Sequence, residues 1–589
     1  MKFRHIKTII AIQFLVLVFT GFIVYYNSLN GQFLWDDYFQ VKENTFITNW
    51  QNLPKVFSQN MAAGFGYNSP YFRPLQTVTY MIDYSFWKLH EKGYHITNTV
   101  IHILVAFCIY WLISLLCQDN LASFLASLFF IVHPYYSEAV AFISDRADIQ
   151  AALFLLLSMI FYMKYLNSKR KQYYFLVLLS YIFALLSKEN SCIFPLLALL
   201  YHFAFFKKIE WKFFSVIAGI TVFYALLRLT VLNFFYFPIP SWLVLLKRVP
   251  AFFAAIVDYL RIFFIPVHLH AEYSYRMFSF FEPKVLAGIS VTVLLLYYTF
   301  MRRKSDSLIF FSICWVFIGL LPVSNIYPVS DSYMAERWFY FPSVGLIIIL
   351  AGKLKDLLKE KNIRLYVICV WIFIVCIFSY FTVKQNYYWK DPVAFYKRTI
   401  EYNPVNWKIY NQLALQYARL GDVSAAEEAY KKALKIRPYE VGIYYNLWLL
   451  YDHAGEKEKA AAIYAKAERL RKDFFLSYAK LGNKYSGLGR DREAVSFYIK
   501  ALELIPGDLE VTIDLANAYL IIGKYEYSIA LLEKVLLVNP RLALAHNNLA
   551  VAYYYNKNYK LAILHCDKAI ESGYNVSPRI LSLLKSYRK

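Results

Sequence analysis

The chain has 589 residues, of which 59% are hydrophobic and 20% aromatic, and its mean hydropathy is +0.38. This is longer than one ordinary domain and too apolar for an ordinary soluble chain. The formal net charge of +23 would suit a nucleic-acid binder, but much of the basic charge stands in short runs between apolar segments, where it sets topology, so no nucleic-acid partner is expected.

The N-terminus is basic, with Lys2, Arg4 and Lys7, and an apolar stretch follows from Thr8 to Tyr26. A secretory signal has the same order, but its apolar core is shorter and ends at small residues. This one ends in Tyr25, Tyr26 and Asn27 and reads as an uncleaved first membrane helix. Further apolar runs lie near 96–116, 121–133, 149–166, 173–187, 190–206, 213–233, 250–266, 284–301, 308–323, 339–352 and 364–382. Another, Phe234 to Leu246, is broken by Pro238 and Pro240 and reads as a thirteenth span or a re-entrant piece.

Lys169-Arg170-Lys171, Lys207-Lys208, Arg302-Arg303-Lys304 and the stretch Lys353 to Arg364 are basic and should be cytoplasmic, as should the N-terminus. Counting Phe234–Leu246 as a span, with Lys247-Arg248 inside, keeps the later loops consistent. The expectation is an all-α chain: a polytopic membrane domain over 1–383 with about 12–13 spans, a linker over 384–403, and a repeat domain over 404–589 on the non-cytoplasmic side. Loops 27–95, 134–148, 187–189, 267–283 and 324–338 then share the outer face.

The last third repeats. Gly421, Gly455, Gly489 and Gly523 stand 34 residues apart, and Tyr417, Tyr451, Tyr485, Tyr519 and Tyr553 keep the same step. So do Ala433, Ala467, Ala501 and Ala569, with Val535 in the gap, and Pro404, Pro438, Pro506 and Pro540, with one position skipped. This is the tetratricopeptide (TPR) period: about five pairs of antiparallel helices in a solenoid, with glycine in the turn and proline ending the second helix. Such arrays present concave surfaces to peptides or proteins. The seven cysteines form no CxxC pair, zinc spacing or disulfide framework.

The outer loops carry the candidate chemistry. Trp35-Asp36-Asp37 places two adjacent carboxylates just beyond a membrane helix, where one could act as general base or hold a divalent ion; the alternative is a solvated turn. The second loop carries Glu138, Asp145, Arg146 and Asp148, which suit holding a phosphate and moving a proton, or capping the following helix. Arg73, Lys188 and Arg337 are further outer-face cations that could grip a lipid phosphate or merely snorkel to headgroups. His95, His102 and His133 read as helix-packing residues, and no spacing points to a metal site.

Together these motifs resemble the transmembrane and TPR-containing O-mannosyltransferase family and its bacterial relatives, within the GT-C superfamily. The resemblance rests on Trp35-Asp36-Asp37, Phe72-Arg73-Pro74-Leu75, His95 with Asn98 and His102, His133-Pro134 with Glu138-Ala139-Val140, Arg146-Ala147-Asp148, Ser187-Lys188-Glu189 and Ala335-Glu336-Arg337-Trp338, in this order and followed by the TPR array. It implies inverting transfer of a sugar from a polyprenyl-phosphate donor to a protein hydroxyl on the outer face, with a carboxylate of the first loop as base. The chain departs at His270-Ala271-Glu272-Tyr273-Ser274, where the family leads one to expect an aspartate before Tyr-Ser.

On this reading Asp36 or Asp37 takes the acceptor proton, and Glu138 and Asp148 orient the acceptor or the base. Arg73, Arg146, Lys188 and Arg337 are the candidates for the donor phosphate. No resident cofactor is expected, with a divalent cation left open. The partners are the lipid-linked sugar, acceptor proteins on the TPR array and membrane lipids. The rival is a non-catalytic membrane-anchored TPR scaffold for an envelope complex. A transporter fits less well, because most ionisable residues stand at span ends rather than mid-span.

Overall fold

The computed structural model describes residues 2–67, 69–206, 209–229, 241–274, 276–328 and 332–588. It is 80% helical, and the chain divides into two compact units, residues 1–416 and 417–589.

Among the described residues of the first unit, six helices are long and apolar enough to cross a membrane: Thr8–Asn30, Glu91–Cys117, Ile143–Ser168, Trp211–Leu229, Pro283–Arg302 and Arg364–Lys390. A seventh crossing results if Asn120–Ile131 and Pro134–Ala141, bent by 53° at the break, count as one span. The other apolar runs do form helices, but shorter ones such as Lys171–Ser187, Phe194–Phe205 and Ser307–Leu320. Most of Phe234–Leu246, with both prolines, lies outside the described residues, and Trp242–Leu246 opens the helix Trp242–Phe264.

Residues 384–403, expected as a linker, are helical. Arg364–Lys390 runs on past the apolar stretch, and Pro392–Tyr402 follows, with the Asp391 carboxylate accepting the Ala394 N–H and Pro392 in the first turn. The end of Arg364–Lys390 lies against the first outer loop: the Gln32 N–H donates to the Lys390 carbonyl, and the Asn27 and Asn386 amides donate to Val383 and Val24 carbonyls. The chain thus leaves these helices on the face that carries loop 27–95.

The loops at this end of the helices are folded rather than solvated. Every residue from Ile131 to Ala147 is buried, so this irregular backbone needs internal partners. Asn98 Nδ2 donates to the Val140 and Phe142 carbonyls, the Tyr80 hydroxyl to Ile143 O, and Gln76 Nε2 to Ser144 O. Loops 267–283 and 324–338 meet in a two-stranded antiparallel ribbon, Tyr273–Ser274 on Ser332–Met334. His95, His102 and His133 bond the carbonyls of Gly31, Ile131 and Phe263, in keeping with packing roles. Helices Trp242–Phe264 and Pro283–Arg302 cross so closely at Gly288 that an added Cβ would stand 2.0 Å from Phe253 O.

In the second unit Gly421, Gly455, Gly489 and Gly523 take φ of 71–79°, the left-handed conformation that closes the turn between the helices of a pair. One feature breaks the regular pattern. Lys457–Gly487 is a single helix of 31 residues that joins the second helix of one repeat to the first of the next. The proline that ends the equivalent helix elsewhere is replaced by Lys472, which leaves the helical hydrogen bonds intact. The two halves of this rod pack against different neighbours. Tyr464 meets Trp448 at 5.0 Å between ring centroids, whereas Tyr485 stacks on Phe497 at 5.1 Å.

Because each repeat buries its face against its neighbours, residues 404–589 expressed alone should give helical circular dichroism and one cooperative melt. In that fragment Lys472→Pro should cost about 3 kcal/mol and lower the melting temperature measurably, since it breaks a continuous helix. An unchanged melt would mean that a turn, and not a rod, spans this position.

Candidate active site

The first loop fixes Asp36 and Asp37 in opposite senses. Trp35 adopts φ 40°, a strained value for a bulky residue. A reciprocal turn sustains it: the Asp37 N–H donates to Leu34 O, and the Leu34 N–H donates to Asp37 Oδ2 at 3.0 Å. Asp37 is buried and also accepts the Ser144 N–H, at 2.8 Å, and the Ser144 hydroxyl. Burial raises its pKa to about 7 against these three donors. Asp36 is instead exposed into a cavity of about 420 Å³. Desolvation in the cleft raises its pKa, while Arg337 and Arg73 pull it down.

The cavity gathers residues from six stretches of the chain. Arg73 makes a two-pronged contact with Glu189, Nη2 to Oε1 at 2.8 Å and Nε to Oε2 at 3.2 Å. Burial raises the Glu189 pKa, but the arginine outweighs it and brings it down to about 2. Lys188 Nζ donates to both oxygens of Asp148, at 2.7 and 2.6 Å. Arg337 donates through Nη1 to Glu138 Oε1, its backbone N–H donates to Glu138 Oε2 at 2.8 Å, and its Nε lies 3.3 Å from Asp145 Oδ1. Arg73 Nη1 and Arg337 Nη2 make no bond to protein among the described residues, so each guanidinium keeps donors to spare.

Of the sequence candidates, Asp36, Asp148, Arg73, Lys188 and Arg337 line the cavity, and Asp37, Glu138 and Arg146 do not. Glu138 lies behind Arg337 and fixes it. Arg146 is wholly buried and fully engaged: Nη1 lies 2.6 Å from Asp83 Oδ2, Nε donates to Asn98 Oδ1 at 2.7 Å, Nη2 donates to Tyr94 O at 3.0 Å, and the guanidinium rests on the Tyr80 ring at 4.5 Å. It is an internal strut, and its place among the phosphate candidates is withdrawn.

Sequence reasoning gave no role to Glu189, Asp83 or Ser144. Glu189 could have been found by its place beside Lys188, whereas a lone Asp83 within a helix gives no signal. Glu336 is buried, and its Oε1 accepts the His270 N–H and the Tyr273 hydroxyl, each at 2.8 Å. The divergent segment His270–Ser274 therefore anchors the turn that carries Arg337, and Glu272 does not line the cavity. Among the described residues no three acidic, His or Cys side chains converge as a metal site. Asp148, Glu189 and Glu138 are each paired with a cation.

Tetratricopeptide repeat models match residues 407–439, 476–508 and 513–575. A protein O-mannosyl-transferase of Caenorhabditis elegans is 26% identical over 438 residues, covering 70% of this chain and 61% of its own. Protein O-mannosyl-transferase TMTC2 of Homo sapiens is 31% identical over 153 residues, 25% of this chain and 18% of its own. The chain is similar in sequence to protein O-mannosyl-transferases. It spans less than two thirds of the length of these relatives. Among solved structures, the TPR protein YrrB matches 33% of this chain and 98% of its own at 22% identity, with a TM-score of 0.17.

The Asp37 geometry yields a stability test. In Asp37→Asn one side-chain oxygen can still accept from Ser144, but an amide NH₂ cannot accept the Leu34 N–H. The variant should lose about 1–3 kcal/mol, read as a lower melting temperature in detergent. Asp36→Asn, with no such bonds, should melt like the wild type.

Proposed function

We propose that the first unit is an inverting glycosyltransferase that moves a sugar from a polyprenyl-phosphate donor to a protein hydroxyl on the outer face of the membrane, and that the TPR array binds the acceptor or a partner. The observation that carries this reading is the state of Asp36. Of the four carboxylates lining the cavity, Asp145, Asp148 and Glu189 are paired with cations, and Asp36 has no ion pair or hydrogen bond among the described residues. A free, desolvated carboxylate beside unspent guanidinium donors is what a base needs next to a departing phosphate.

In the proposed step the acceptor oxygen attacks the anomeric carbon from the side opposite the phosphate. The new carbon–oxygen bond forms as the bond to the phosphate oxygen breaks, and the phosphate leaves with that electron pair. Asp36 takes the hydroxyl proton. Arg73, Lys188 and Arg337 hold the phosphate, and Asp148, Glu189 and Glu138 keep those cations in place. An apolar groove of about 300 Å³, lined by Phe263, Leu295, Phe317 and Leu350 among others, reaches Phe339, two residues from Arg337. Such a groove supports entry of a prenyl chain from the bilayer beside the phosphate site.

Asp36→Asn should lower transfer about 10²-fold or more while the protein stays folded. The wild-type rate should fall on the acid side at a higher pH than for a free aspartate, because the carboxyl is shifted up and must be ionised to accept a proton. The variant should lose that limb. Wild-type transfer by Asp36→Asn would give the base to another residue, and no transfer by the wild type with a range of prenyl-phosphate sugars would favour the scaffold. The topology has its own check. A reporter active only in the cytoplasm, fused after Lys589, should be silent, and activity there would reverse the face assigned to the cavity.

A further inference from the structure

The cavity has a second half that the proposed reaction does not use. Opposed to its charged residues in chemical character are Phe39, Met61, Phe65 and Tyr67, all from the first outer loop. Phe39 and Phe65 lie 5.8 Å apart between ring centroids, and so do Phe65 and Tyr67, which makes one continuous aromatic wall. These rings are not core. Phe39 is 39% exposed and Tyr67 64%.

The loop that carries them is nonetheless held in shape. The Met61 N–H donates to Tyr71 O, Asn60 Oδ1 accepts the N–H groups of Ala62 and Ser69, and the Thr45 hydroxyl donates to Gly64 O at 2.6 Å. Gly66 takes φ 85°, which turns the chain between Phe65 and Tyr67. Exposed rings on a pre-shaped loop cost little order to bind against and expose apolar surface until they do.

We propose that this wall seats the acceptor polypeptide through an apolar side chain next to the reacting hydroxyl. The inference rests on the transferase reading and adds where the acceptor sits and what it must carry. A hexose needs hydrogen-bond partners for its hydroxyls, and Phe39, Met61 and Phe65 offer none. The cavity offers such partners in Gln40, Asp145 and Asn190. The wall lines the same cavity as Asp36, and Phe39 follows Asp36 by three residues, so a chain resting on it can bring a neighbouring hydroxyl to the base. Tyr67, the most exposed of the rings, marks an edge open to a segment arriving from water, whereas the prenyl donor would come through the apolar groove.

The test uses the full chain in lipid nanodiscs and two fluorescent Ser/Thr peptides that differ only in having Leu or Asp beside the hydroxyl residue. The wild type should bind the Leu peptide about tenfold more tightly than the Asp peptide. Phe65→Ala/Tyr67→Ala should lose that preference, with Leu-peptide binding weakened about tenfold and prenyl-phosphate-sugar binding unchanged. Phe65→Tyr/Tyr67→Phe, which keeps the rings, should bind like the wild type and so separates a lost wall from a misfolded loop. Equal binding of the two peptides, no peptide binding, or an unaffected alanine variant would overturn the proposal. A variant that loses the sugar donor instead would give the wall to the sugar and overturn it too. Peptide seated on the wall with no sugar transfer would end the transferase reading and leave the seat standing.

Discussion

The first unit depends on one buried turn, Phe142 to Arg146, whose polar backbone is met from within by side chains of other segments. It is almost wholly buried, and each unmet group at such depth costs several kcal/mol. Asp37 takes the Ser144 N–H, Asn98, Gln76 and Tyr80 donate to the carbonyls, and Arg146 closes on Asp83. These partners come from the first loop and from helices Pro74–Trp87 and Glu91–Cys117. The turn therefore ties together the segments that carry Asp36 and Arg73, and it sets Asp145 and Asp148 on the cavity wall. Its buried ion pair adds little net stability as a pair, but loss of either partner would leave an uncompensated charge and open the turn.

The cavity is built on paired charges whose pairing is incomplete by design of geometry. Arg73, Lys188 and Arg337 would not persist in a half-buried cleft without carboxylates beside them. Each carboxylate uses only part of its cation's donors, and the unspent nitrogens of Arg73 and Arg337 suit a tetrahedral anion better than a planar one that would compete for the same fork. The carboxylates thus fix the cations without saturating them. Asp36 stands apart because the strained Trp35 turns it out of the loop that buries Asp37.

How far the sequence discloses this differs from one feature to another. The 34-residue period names the repeat fold outright, and even the rod at Lys457–Gly487 is written there, in the lysine at a proline position. Hydropathy finds the helices but not the 53° bend at the break between Ile131 and Pro134. Loop residues were found as a set, with Asp36, Asp148, Arg73, Lys188 and Arg337 drawn together. Their individual roles stayed hidden. Asp36 and Asp37 differ only through the backbone at Trp35, and Arg146 turns inward only because Asp83, some sixty residues away, waits there. The pairing of loops 267–283 and 324–338 rests on strands of two and three residues, too short to leave a periodic signal.

The geometry also links the proposed base to the proposed phosphate site. Burial raises the proton affinity of Asp36, and Arg337 and Arg73 lower it. Those two arginines are the ones with donors left for a phosphate. A phosphate held by them would offset their positive charge at Asp36 and return the carboxyl toward the higher proton affinity that burial alone would give it. Charge gathering on the leaving phosphate as the sugar departs would strengthen that effect at the moment the acceptor proton must move. In the proposed reaction the donor would therefore switch on its own base.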